Sequence, residues 1–289
     1  MHARAVAATA TALLGTAALL SPVPAARAGD AAEPTVLAHR GASAYAPENT
    51  PAAIDKAAAL GFTWVENDVQ RTRDGRLVVI HDDSLRRTTD VAQVFPGRAP
   101  WKVKDFTAAE VARLDAGSWF APAYRGTRVP TLAQYMRRVE HNHEKLLLEI
   151  KNPELYPGIE QQVLKLLGSE GWLDRRHLDR LVVQSFSADS LRTVHALRPA
   201  VTTGYLGTPS VASLRRYAGF VDLINPSLDS VSGGYVRNVH ALKGPHGRPL
   251  RVFTWTVNDA VTTWKAVGYG VDGIITNKPD VVRAALCAS

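Results

Sequence analysis

The chain has 289 residues, a formal net charge of +7 and one cysteine. A lone cysteine excludes an internal disulfide, so stability must come from packing. The basic residues are scattered, and the absence of arginine and lysine blocks with interleaved aromatics argues against nucleic-acid binding.

Residues 1–28 start with His2 and Arg4, continue through an apolar Ala, Leu and Thr run, and close on Ala26-Arg27-Ala28. This reads as a secretory signal cleaved after Ala28. Its apolar core falls short of the roughly 20 residues that span a bilayer, so stable membrane insertion is not expected. Lipid anchoring would need a cysteine just after that core, and the cysteine is Cys287. Losing Arg4 and Arg27 takes the charge from +7 to +5. The mature segment, 29–289, has the length of a single α/β barrel.

Along that segment, short Val, Ile and Leu-rich runs alternate with amphipathic stretches, the pattern of parallel strands joined by helices. Strands are expected near 35–40, 62–69, 145–150, 180–185, 201–206, 221–225, 250–256 and 272–276. Eight strands fit a TIM (β/α)8 barrel. Thr50-Pro51 is a helix start and Gly61 its stop. Further helices are expected at 131–142, 157–167, 188–197, 211–217 and 259–267. A ninth apolar run, Leu77 to Ile80, follows Asp74-Gly75, a two-residue hairpin signal that would pair Asp68 with His81. From Asp83 to Pro130 the alternation stops, apart from a possible helix at 108–114; this stretch is expected to form a lid over the C-terminal face of the barrel.

The charged residues concentrate at strand ends. On a strand, residues two apart share a face, so Glu66 pairs with Asp68, and Glu149 with Lys151. Buried carboxylates placed together repel unless a cation separates them, and an oxygen-only donor set suits calcium or magnesium. His39 and His81 end two apolar runs and are the acid and base candidates. Arg40 and Lys151 can hold phosphate oxygens, or simply neutralise the acids. Together these residues describe metal-assisted phosphodiester cleavage. Phe186, Tyr205 and Trp255 lie at strand ends and can pack against a bound substrate, although ordinary core packing explains each equally well.

The series His39-Arg40-Gly41, Pro47-Glu48-Asn49-Thr50, Glu66-x-Asp68-Val69, His81-Asp82, Leu85-x-Arg87-Thr88-Thr89, Leu114 to Phe120, Leu148-Glu149-Ile150-Lys151, Gln184-Ser185-Phe186 and Asp272 to Asp280 resembles the glycerophosphodiester phosphodiesterase family over essentially the whole mature chain. The resemblance implies a phosphatidylinositol-phospholipase-C-like barrel that releases glycerol 3-phosphate and an alcohol through a cyclic phosphate. It implies Glu66, Asp68 and Glu149 as ligands of one Ca2+ or Mg2+, His39 and His81 as acid and base, and Arg40 and Lys151 on phosphate. Asn277 stands where many members have aspartate, and Asn67 should point away from the site. The expected partner is a small glycerophosphodiester, with glycerophosphate wall polymers a further possibility for an exported enzyme. Two other readings are a phospholipase D-like or sphingomyelinase D-like enzyme acting on lipids, and a non-catalytic phosphate-binding barrel. The intact Glu149-Ile150-Lys151 element speaks against the first, and a pair of histidines beside a metal site against the second.

Overall fold

Eight parallel strands close on themselves: β1 (Thr35–Ala38), β2 (Trp64–Arg71), β4 (Lys145–Ile150), β5 (Leu181–Ser185), β6 (Thr202–Leu206), β7 (Leu223–Asn225), β8 (Arg251–Thr254) and β9 (Gly273–Thr276), with β9 pairing back onto β1. The computed structural model describes residues 1–2 and 33–288, so the expected signal segment falls outside it except for its first two residues. The ring with its outer helices is a TIM barrel.

Helices α1 (Pro51–Ala59), α4 (Leu132–His141), α5 (Ile159–Ser169), α6 (Ala188–Leu197), α7 (Leu214–Tyr217), α8 (Gly233–His240), α9 (Ala260–Tyr269) and α10 (Pro279–Cys287) follow successive barrel strands or their connections. Their starts are written locally. The Thr50 hydroxyl accepts from the Ala53 N–H ahead of Pro51, and Thr131 forms a reciprocal capping box with Gln134. Beyond the four-residue helix at Val91–Val94, two helices escaped the sequence reading. Helix α8 opens on a Gly-Gly pair of low helix propensity, and α10 begins at Pro279, where the proline sits at a first-turn position.

Each strand buries both faces. Outer faces pack against the helices in two large apolar clusters. Leu37, Leu147, Val182, Leu223, Phe253 and Ile275 fill the barrel interior. There Gly273 lies in register with Phe253, and a Cβ at that glycine would come within 2.5 Å of the ring.

Strand β3 (Leu77–Val79) pairs antiparallel with the outer end of β2, so the expected hairpin is present, but its register differs from the expectation. Thr72 closes on Arg76 around three residues, with Gly75 at φ +80 in the left-handed position, and Val69 pairs with Val79. Asp68 therefore meets Ile80, whose N–H donates to the Asp68 carbonyl at 2.9 Å, rather than His81. The segment from Asp83 to Pro130, carrying α2 (Val91–Val94) and α3 (Ala108–Val111), builds its own apolar core on Val78 and Ile80 of the hairpin arm with Leu85, Val103, Phe106 and Leu114.

Candidate active site

Inward-facing positions recur every second residue, and at the C-terminal ends of the strands they change from wholly apolar to a mixture of charged, amide and aromatic side chains. Past Leu37 comes His39; past Trp64 come Glu66 and Asp68; past Leu147 come Glu149 and Lys151; past Val182 come Gln184 and Phe186; past Phe253 comes Trp255. The pocket at this end is lined by His39, Arg40, Glu66, His81, Glu149, Lys151, Phe186 and Trp255 among the expected residues, and also by Gln184, Leu206, Thr256 and Ile275. Asp68 lies just beneath, 1% exposed. Tyr205 is not among the lining residues. It lies one position out of phase, packed at 4.6 Å on Tyr217 in the outer helix layer, and Leu206 takes the pocket position on β6.

Glu66, Asp68 and Glu149 each bring one carboxylate oxygen within 4.8 Å of the others. Burial, then the charges of Asp68 and Glu149, push the Glu66 carboxyl well above its ordinary range. Burial and Asp68 push Glu149 up to about 8. Burial also works against an ionised Asp68, but Arg40, Lys151, His81 and Asn49 outweigh it and hold this carboxyl below its usual value. Three converging acids that cannot all ionise together form a candidate site for a cation. The Asp68 Oδ1 atom is buried without a hydrogen bond, and the donors are all hard oxygens. This set fits an oxygen-seeking divalent ion.

Arg40 and Lys151 face the acids. The Arg40 backbone N–H donates to Glu66 Oε2 at 3.0 Å, Nη1 donates to Glu48 Oε1 at 2.9 Å, and Nε lies 3.3 Å from Asp68 Oδ2. Lys151 Nζ is 2.9 Å from Glu149 Oε1 and 3.7 Å from Asp68 Oδ1. Both border the pocket, so neutralising the acids and facing a bound anion are compatible. The turn after β1 explains the His-Arg-Gly order. Arg40 and Gly41 both adopt positive φ, +58 and +77, and a Cβ at Gly41 would come within 2.6 Å of Ala53 in α1.

The histidines are held by different groups. His39 Nδ1 lies 2.7 Å from Asn277 Oδ1, which also accepts from the Ser43 hydroxyl at 3.0 Å. With the amide oxygen assigned to that position the Nδ1 atom carries the proton, which leaves Nε2 as the acceptor, 4.0 Å from Glu66 Oε2. Burial first, then the Arg40 charge, lowers His39 to about 4, so the ring is neutral at physiological pH. His81 Nδ1 instead contacts Asp82 Oδ1 at 2.7 Å. Burial opposes ionisation of Asp82, yet Arg87 and His81 together bring it down to about 2.

Several supporting residues had carried no role in the sequence reading. Asn49, at φ +61, donates from Nδ2 to Asp68 Oδ2 at 2.8 Å, and its backbone N–H reaches the Arg40 carbonyl at 2.9 Å. Asn225 donates to Gln184 Oε1 at 2.9 Å beneath the acids. Asp82 and Glu48 join arginines to the site. Glu48, Asn49 and Asp82 lie in motifs visible in the sequence and Asn225 in none, and the contacts bridge up to 41 residues with no local signature.

The sequence profile of the Glycerophosphoryl diester phosphodiesterase family matches residues 39–281. A glycerophosphodiester phosphodiesterase of Bacillus subtilis is 32% identical over 280 residues, covering 91% of this chain and 91% of the relative. One from Caldanaerobacter subterraneus is 34% identical over 249 residues, covering 86% and 95%. Among solved structures, a phosphodiesterase of Oleispira antarctica in complex with its product sn-glycerol-3-phosphate is similar with a TM-score of 0.76 at 28% identity, covering 88% of this chain and 97% of that one. With the profile spanning the barrel and the site, the chain belongs to the glycerophosphoryl diester phosphodiesterase family.

Proposed function

We propose that this glycerophosphodiester phosphodiesterase uses Glu66, Asp68 and Glu149 to hold one Ca2+ or Mg2+, and His39 and His81 as base and acid in a two-step hydrolysis. One observation carries the reading: two histidines, each fixed through Nδ1, open onto the same pocket as a triad of buried carboxylates. The bound cation would supply positive charge to the phosphoryl oxygens. Arg40 and Lys151 hold those oxygens from the pocket wall, while Phe186 and Trp255, in edge contact at 5.8 Å, give the glycerol carbons an apolar surface.

His39, neutral with Nε2 free, takes the proton from the substrate's glycerol 2-hydroxyl. That oxygen attacks phosphorus and the bond to the alcohol breaks. His81, kept in orientation by Asp82, gives its Nε2 proton to the departing alkoxide. In the second step water attacks the cyclic phosphate and loses a proton to His81. The ring oxygen leaves with the proton from His39, giving glycerol 3-phosphate. A tethered nucleophile supports this route, since it enters the reaction without translational cost.

The Ala-rich start of the chain, ending in Ala26-Arg27-Ala28, supports export as part of the same proposal, and glycerophosphate polymers outside the cell offer the same phosphodiester core as small substrates. Among the described residues no helix is long and apolar enough to cross a membrane. The test is a panel assay of glycerol 3-phosphate release with an added 2-deoxy analogue. Glycerophosphodiesters should turn over with Ca2+ or Mg2+, and the analogue should be nearly inert. An analogue cleaved at the full rate would refute the tethered-hydroxyl step; cleavage of sphingomyelin with glycerophosphodiesters untouched would refute the substrate class.

A further inference from the structure

His81 and Arg40 reach the pocket from different elements of the barrel unit. Arg40 follows a strand of the closed ring, whereas His81 follows β3, which lies outside the ring, paired with the outer end of β2 on one side and bridged through Val78 to Thr131 on the other. A side-chain chain connects them through Arg87. Its Nε and Nη2 donate to Asp82 Oδ2 and Oδ1 at 2.7 and 2.9 Å, and its Nη1 and Nη2 donate to Glu48 Oε2 and Oε1 at 2.8 and 2.7 Å. Asp82 contacts His81, and Glu48 accepts from Arg40. A planar guanidinium can serve two carboxylates in this way, and an ammonium cannot. The turn that presents Arg87 is itself anchored. Leu85 is fully buried in the apolar core of the 83–130 segment, and the Thr89 hydroxyl donates to the Leu85 carbonyl at 2.6 Å.

We propose that Arg87 is a positioning residue for the reaction: by clamping Asp82 against Glu48 it holds His81 in the orientation that protonates the leaving alkoxide and sets that histidine relative to Arg40. The inference rests on the acid role given to His81 above. Arg87 does not line the pocket, so it acts through Asp82 rather than on substrate. Without the clamp, Asp82 is free to turn toward solvent, and His81 loses the partner that fixes its ring.

The experiment compares two substrates with the same glycerophosphate half. One carries an alkyl alcohol, whose departure needs a proton; the other carries p-nitrophenol, which leaves unprotonated. The rate is read as release of the alcohol or nitrophenol in a single turnover, because the later opening of the shared cyclic phosphate uses His81 as base for either substrate. Arg87→Met should lower this first-step rate on the alkyl ester by about 10²-fold, as expected for loss of a general acid, and leave it near wild type on the nitrophenyl ester, with substrate affinity little changed on either. Its cation-induced rise in Tm should persist, and the hydrogen-bonded Nδ1 proton of His81 seen by NMR in the wild type should disappear. Arg87→Lys should fall between. If Arg87→Met fails to fold, Glu48→Gln loosens the far end of the same clamp and should show the same selectivity on a smaller scale. Equal loss on both substrates, or no loss on either, overturns the proposal. His81→Ala separates the two levels of argument. Selectivity there but not in the Arg87 and Glu48 variants refutes the clamp alone, whereas its absence in His81→Ala refutes the acid role on which the clamp depends.

Discussion

Replacing Glu144 with Gln should make the protein more stable in alkali and leave it little changed in acid. Glu144 sits at the N-terminal end of β4, 1% exposed, and no hydrogen-bond donor meets either carboxylate oxygen with good geometry. Burial, then the charge of Asp55, push its carboxyl from 4.5 up to about 8, while Asn142 and Arg138 offset part of that cost. The folded value exceeds the unfolded one. The neutral carboxyl's contribution is therefore complete below pH 4.5 and is lost as pH rises through about 8. The gap is 8 minus 4.5, or 3.5. At about 1.36 kcal/mol per unit, the penalty of ionised Glu144 has an upper limit of about 5 kcal/mol above pH 8, and about 3 at pH 7. An amide at the same place still needs partners, which costs about 1 kcal/mol of the gain. Glu144→Gln should thus match or fall slightly below the wild type at pH 5 and exceed it by several kcal/mol at pH 9, roughly ten degrees in Tm for a domain of this size. Because the residue lies at the end of the barrel opposite the pocket, kcat should not change. Urea and thermal unfolding of both proteins at pH 5, 7 and 9 measure the effect. A stability difference that stays constant across that range would refute the argument that Glu144 is forced to ionise in a buried site.

At the acid triad, a chelator should abolish activity and lower Tm, and Ca2+ or Mg2+ at about 100 times its Kd should return about 2.7 kcal/mol of stability; full activity with no metal by elemental analysis contradicts this. Glu66→Gln should remove most of the cation-induced Tm rise, read by calorimetry. Asn277→Ala removes the acceptor that fixes His39 Nδ1 and should cut kcat by roughly 10- to 100-fold with little effect on cation binding, since it touches His39 rather than the carboxylates; unchanged kcat would mean that His39 needs no orienting partner. Asn67 is fully buried with both amide atoms unpartnered, so Asn67→Val should raise unfolding free energy by about 1–3 kcal/mol in urea titrations, and a loss of stability would show that the amide is satisfied after all.

The barrel was legible because its strands are apolar runs separated by helix-length segments, and all eight fall within a few residues of the expected places. The site was legible for a related reason. Alternation on a strand puts Glu66 beside Asp68 and Glu149 beside Lys151 whatever the rest of the fold does, and burial of those strands is written in their flanking residues. Tertiary structure decided what local rules leave open. Tyr205 and Leu206 both occupy a strand buried on two faces, so composition does not reveal which one looks inward; the stagger of the ring decides, and it selects Leu206. The hairpin turned on three residues rather than two because Gly75 supplies one left-handed position and the Thr72 hydroxyl accepts from the Arg76 N–H, a contact that Asp74-Gly75 alone does not announce. The clamp of Arg87 on Asp82 and Glu48 joins residues 39 apart, and ion pairs at that separation depend on where folding brings two loops, not on the residues between them.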